Sequence, residues 1–123
     1  MGSAVPPDDS IQQLAQRLQH FADARDWGQF HSPKNLASAL IVEAGELLEH
    51  FQWMTEAQSR NLADEQKQAV AHEMADVLLY LVQLSSALGV DLMAAAREKM
   101  ALNESRYPVD RAKGNSLKYK DQG

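Results

Sequence analysis

The sequence predicts an all-α protein, a four-helix bundle protomer that assembles into a helical homo-oligomer. Three observations lead there. Apolar residues recur at helical spacing through most of the 123 residues, strand-like alternation is absent, and the Ser, Pro, Gly and Asp breaks fall where helices start and stop.

The first helix is expected over about 8–25, because Pro6 and Pro7 precede Asp8, Asp9 and Ser10, and Ile11, Leu14, Leu18 and Phe21 follow on one face. The segment ARDWGQFHSPKN, with Gly28 and two aromatic residues, reads as an ordered loop. Ser32 and Pro33 form an N-cap and first-turn pair, so the second helix begins there and runs to about Met54. Gly45 inside it costs roughly 1 kcal/mol relative to Ala, which points to close packing or ligand approach at that position. The polar stretch TEAQSRNLADEQ leads into a third helix, which continues through LLYLVQLSSAL to Gly89 as its terminator. Asp91 caps a fourth helix that Pro108 closes, and VDRAKGNSLKYKDQG is a basic, polar tail. The second and third helices are apolar on more than one side near their centres, more than a lone protomer needs to bury, and that is the ground for the oligomer.

The length fits one domain over 1–123, with 1–7 and about 110–123 peripheral. A net charge of −5 and pI near 5.3 give no basic footprint, which argues against a nucleic acid polymer or a membrane surface as partner. Without cysteine there is neither a disulfide framework nor a thiolate metal site. The start, MGSAVPPDDS, lacks the basic and apolar parts of a signal peptide, and no apolar run reaches about 18 residues, so a cytoplasmic protein is expected.

Four acidic residues stand where a helical protein normally places leucines: Glu43 and Glu46 in LASALIVEAGELLEHFQW, and Glu73 and Asp76 in AVAHEMADVLLYLVQL. On a helix, Glu43 shares its face with Leu36, Leu40, Leu47 and Phe51, and Glu46 lies about 60° round, toward Trp53. Glu73 points with Val70, Val77, Tyr80 and Leu84, and Asp76 is displaced by about 60° in the same sense. Two such helices packed side by side bring four carboxylates to the margin of an apolar seam, where an unpaired buried ion is penalised by roughly several kcal/mol. A solvated face would explain acids three apart if the flanks were polar, and here they are apolar. A cation, or partial protonation, is required. Carboxylate oxygens without Cys or paired His favour Mg²⁺ or Mn²⁺, and Mg²⁺ keeps positions that substrate phosphates fill. A ferritin-like di-iron site should show Glu-x-x-His, which no Glu here provides. His20, His31 and His50 default to structural roles.

In EKMALNESRYP, spacings of four and seven put Lys99, Asn103 and Arg106 on one helix face, a cation and amide comb suited to phosphate oxygens, with Tyr107 next to it. The bland alternative is a solvated helix end. Lys113, Lys118 and Tyr119 extend the basic strip if the tail folds back. Trp27, Phe30 and Trp53 are the aromatic residues suited to stacking on a base, Trp53 foremost by its phase relative to Glu46, with Tyr80, one turn past Asp76, next.

Taken together, EAGELLEHFQW, EMADVLLYLVQLSSALGVDL, the Lys99–Met100…Asn103…Arg106–Tyr107–Pro108 pattern and the Lys118–Tyr119 tail resemble the MazG-like all-α nucleotide pyrophosphohydrolases, in particular the branch that acts on dCTP. The resemblance runs from about Arg25 to Tyr119. It implies Mg²⁺-dependent cleavage of a deoxynucleoside triphosphate between the α and β phosphorus, giving the monophosphate and pyrophosphate. It also implies metal ligation by Glu43, Glu46, Glu73 and Asp76, and contacts to phosphates or sugar from Lys99, Asn103 and Tyr107. Base stacking falls to Trp27 and Trp53, and the implied assembly is a homotetramer with sites between protomers. One position departs from the branch: counting back from Trp27 without gaps, its first-helix His falls on Leu18. The rival expectations are a broad-specificity pyrophosphatase of noncanonical nucleotides and a non-catalytic metal-binding helical oligomer.

Overall fold

The structure, a computed structural model, describes residues 10–114. Every regular element among them is helical: α1 (Ile11–Ala24), a 3₁₀ turn (Gly28–Phe30), α2 (Pro33–Glu49), α3 (Glu56–Ser59), α4 (Asp64–Leu88), α5 (Leu92–Arg106) and α6 (Val109–Ala112). They divide into two compact units, α1–α4 and α5–α6. No single described helix is long and apolar enough to cross a membrane.

In the first unit the caps stand where the sequence places them. Ser10 and Ser32 each accept a backbone N–H at 3.1 Å, from Gln13 and Asn35, and Pro33 fills the first turn of α2. Gly89, at φ 67°, ends α4 as a left-handed cap, and the next N–H, from Val90, donates to Ser85 O at 2.8 Å. Two expectations need correction. The second helix stops at Glu49, five residues short of Met54, because His50, Phe51 and Met54 donate to carbonyls three residues back and tighten the chain into turns. The polar stretch after it contains α3, held by a reciprocal pair in which Thr55 Oγ1 accepts from Gln58 N–H at 3.1 Å and Gln58 Oε1 from Thr55 N–H at 2.9 Å.

α4 is the central element, packed on α2 and on α1. α2 and α4 run antiparallel: Leu36, near the start of α2, shares a cavity wall with Ser86 and Ala87 at the end of α4, and His50, just past α2, reaches Glu73. Val82 and Leu36 are fully enclosed, with Ala22 and Val70 beside them; each enclosed Leu or Val side chain stabilises the unit by roughly 1.5–3 kcal/mol. Ser85, also buried, donates to Val82 O at 2.7 Å and so carries no unmet polar group inward.

That interior is small for the apolar content. Ile41 is 67 % exposed and Leu48 61 %, and the two flank Gly45 on one stripe of α2. Met74, Leu78 and Leu81 on α4 are exposed as well. Beyond its own helix, no described atom lies within 4 Å of where a Cβ on Gly45 would stand, so packing among the described residues does not account for this glycine.

In the second unit Asp91 Oδ1 accepts from Ala94 N–H at 3.0 Å to open α5, and Tyr107 N–H closes it on Asn103 O at 2.8 Å. Pro108 ends that helix as expected, and the short α6, which follows it at once, was not foreseen.

Candidate metal centre and adjoining cavity

Glu43 sits at mid-length on α2, and Glu73 and Asp76 lie one turn apart on α4. One carboxylate oxygen from each comes within 4.8 Å of the others. Glu46, the fourth acid, joins through a side-chain hydrogen bond to Glu43. All four are half-buried. Glu43 Oε2 and Glu73 Oε2 are fully shielded and have no hydrogen-bond partner among the described residues. His50 Nε2 approaches Glu73 Oε1 to 3.8 Å, the outer limit of an ion pair.

This crowding shows in the protonation of Glu43. The hydrogen bond with Glu46, then burial, then the charges of Glu46, Asp76 and Glu73 push its carboxyl from the ordinary 4.5 up to about 7. Like charges a few ångströms apart favour keeping Glu43 protonated over ionising all four groups. The two shielded oxygens are the decisive detail: each unsatisfied buried acceptor costs about 1–3 kcal/mol, more when charged, and an ion at the triad would satisfy both. An all-oxygen donor set of this kind fits a hard divalent metal ion.

Asp76 faces two ways. Besides the triad it lines a cavity of about 430 Å³, whose other walls include Phe21, Trp27, His31, Tyr80 and Gln83. Trp27 is fixed there by its surroundings. Asp26, at φ 53°, reverses the chain after α1 and Trp27 N–H donates back to Ala22 O at 3.0 Å. The indole meets Phe21 edge-on at 5.5 Å, and the Arg25 guanidinium lies 3.6 Å over the Phe21 ring. Leu18, where the resemblance had suggested a missing His, lines the same cavity.

Of the aromatic residues singled out from sequence, Trp27 and Tyr80 therefore line a cavity that Asp76 joins to the acids. Phe30 is exposed and forms no part of that wall. Trp53 does not share the track of Glu46: α2 has ended before it, and its side chain is 89 % exposed in the turn that follows. Lys99, Asn103 and Arg106 occupy one face of α5 in the second unit, with Tyr107 at its end; Lys118 and Tyr119 lie outside the described residues. Sequence reasoning did not select Gln83, although it falls seven residues beyond Asp76 on the same stripe, and it left His31 in a structural role; both line the cavity.

Comparison with known proteins matches residues 39–121 to the model of the MazG-like family. The chain belongs to the MazG-like family. This MazG-like chain is 42 % identical over 117 residues to dCTP pyrophosphatase 1 of Rattus norvegicus, covering 94 % of the chain and 69 % of that protein. To the Homo sapiens protein of the same name it is 40 % identical over 115 residues, 92 % of the chain and 68 % of that protein. The crystal structure of a pyrophosphatase from Archaeoglobus fulgidus superposes with a TM-score of 0.77 at 34 % identity, covering 86 % of the MazG-like chain and 99 % of its own.

Proposed function

We propose that this MazG-like chain is a Mg²⁺-dependent nucleotide pyrophosphohydrolase that hydrolyses a deoxynucleoside triphosphate, dCTP by preference, to the monophosphate and pyrophosphate, and so clears the nucleotide pool. The observation that carries the reading is the convergence of Glu43, Glu73 and Asp76, the last of which also lines a cavity walled by Trp27 and Tyr80, in a chain about 40 % identical to dCTP pyrophosphatases.

A divalent ion held by the acids supplies charge neutralisation for the triphosphate and makes water more acidic. Glu43, Glu46, Glu73 and Asp76 would hold it, and Glu46, hydrogen-bonded to Glu43, is assigned to take the proton released by attack on the α-phosphorus. Trp27 and Tyr80 receive the base, and the apolar walls exclude water around it. Trp53 is kept as a second stacking residue. Lys99, Asn103, Arg106 and Tyr107 are assigned to phosphate oxygens and sugar by residue type and spacing. Leu18 in the cavity wall favours a second reading, a broader house-cleaning enzyme acting on several noncanonical triphosphates. Incubation with a panel of dNTPs and NTPs plus Mg²⁺, with chromatographic identification of products, tests both. Monophosphate plus pyrophosphate from dCTP first supports the reading, release of a single phosphate refutes it, and comparable rates across the panel select the broader enzyme. In the same assay Trp27→Ala is expected to raise KM about tenfold or more while kcat changes less, a loss consistent with about 1–3 kcal/mol per stacked base.

The assembly is proposed as a four-helix bundle protomer in a homo-oligomer, dimer or tetramer, built on the exposed stripe of Ile41, Gly45 and Leu48. A glycine between two large apolar residues lets a second helix approach closely, and covering each such side chain contributes roughly 1.5–3 kcal/mol. Ile41→Glu is expected to shift the protein toward monomer in sedimentation or light scattering; an unchanged oligomer would place the interface elsewhere.

A further inference from the structure

Asp76, Tyr80 and Gln83 follow one another on α4 at spacings of four and three, so they form one stripe, and all three line the cavity beside the acids. The stripe leads away from the acids. At 1.5 Å per residue, Gln83 stands about 10.5 Å along the helix from Asp76, which leaves room for a sugar and a base between metal-held phosphates and its carboxamide. Gln83 also lines a second, smaller cavity of about 210 Å³, and Leu18, Ala22 and His31 are shared between the two, so Gln83 stands between the cavities. The walls there mix apolar side chains, Leu14, Leu18 and Leu79 among them, with the polar Arg17 and His31. The side chain is half-buried and forms no hydrogen bond with any described residue; the neighbouring Ser85 and Ser86 hydroxyls both donate to Val82 O instead.

A carboxamide offers an acceptor oxygen and two donor hydrogens side by side, which matches the adjacent donors and acceptors along the edge of a nucleobase. We propose that Gln83 hydrogen-bonds the edge of the substrate's base and is a specificity-determining residue of this enzyme. The inference rests on the reading that the cavity seats the base beside the metal site. A half-buried carboxamide aimed at a base discriminates, because a base lacking the complementary group leaves it unpaired.

Three substrates and two variants test it: dCTP, dUTP and a 2-deoxyribose 5′-triphosphate without a base, each with wild type, Gln83→Leu and Gln83→Glu at pH 8. Gln83→Leu should raise KM for dCTP about tenfold with kcat little changed, and leave the base-free triphosphate unaffected. Gln83→Glu presents acceptors only, so it should move the kcat/KM ratio of dCTP, whose base carries an amino donor, over dUTP, whose base carries a carbonyl there, upward by about tenfold. Equal losses on all three substrates, or an unmoved dCTP-to-dUTP ratio in both variants, would overturn the role of Gln83 alone. Wild-type protein that cleaves no nucleotide would overturn the underlying reading and this assignment with it.

Discussion

Replacing Glu73 with Gln should abolish pyrophosphate release, by on the order of a thousandfold in kcat, and at the same time raise the melting temperature of the metal-free protein. Both effects come from one carboxylate. Glu73 contributes a ligand atom to the triad, and its Oε2 is shielded without a partner among the described residues. Two like charges at 4 Å interact by about 4 kcal/mol at an effective dielectric of 20, so removing even a fraction of that repulsion is measurable. Each kcal/mol gained raises the melting temperature of a domain of this size by about 4 °C. Circular dichroism with chelator, beside a pyrophosphate assay with Mg²⁺, reads the two quantities. A variant that keeps turnover contradicts the metal assignment, and one that loses turnover by unfolding contradicts the repulsion argument.

The second large effect is on pH. Glu43, pushed up to about 7, binds its proton more tightly in the folded chain than in the unfolded one, where its value is near 4.5. A carboxyl shifted in this direction contributes stability that is fully present below about 4.5 and is lost as pH rises through about 7, the reverse of the usual salt-bridged carboxylate. Metal-free protein should therefore melt lower at pH 7.5 than at pH 5.5. Because a metal must displace that proton, the apparent Mg²⁺ affinity should rise about tenfold between pH 6 and pH 8, as expected for one group titrating near 7. Glu43→Gln mimics the protonated form and should flatten the stability profile over the same range. A profile in that variant as steep as in wild type would place the titrating group elsewhere.

How far the sequence carried these conclusions depended on what kind of signal each residue emitted. Helix starts were legible because Ser32–Pro33 and Asp91 act locally, through their own side chains and the next turn of backbone. The end of α2 was not, because no Gly or Pro marks it and the apolar residues Phe51, Trp53 and Met54 continue the helical pattern after the backbone has left it. That error misplaced Trp53. The Thr55–Gln58 pair was a readable capping signal for α3, hidden in a stretch read by its polarity alone. The acids stood out because carboxylates in apolar helix segments conflict with burial, and the conflict itself points to a ligand. Gln83 gave no such signal. An uncharged amide on a long amphipathic helix is unremarkable until the α1 residues Leu14, Leu18 and Phe21 close the cavity wall around it. The exposed stripe on α2 was foreseen as an excess of apolar surface, yet a single chain's pattern does not specify what covers it.

The proposed activity requires the half-buried acids at the α2–α4 seam to bind a divalent ion together. Titration of the chelated protein with Mn²⁺, followed by electron paramagnetic resonance with and without a non-hydrolysable α,β-bridged dCTP analogue, measures this without relying on turnover. Saturable binding that tightens with the analogue and is lost in both Glu73→Gln and Asp76→Asn is the predicted result. Binding that is absent, or equally strong in wild type and both variants, would contradict it.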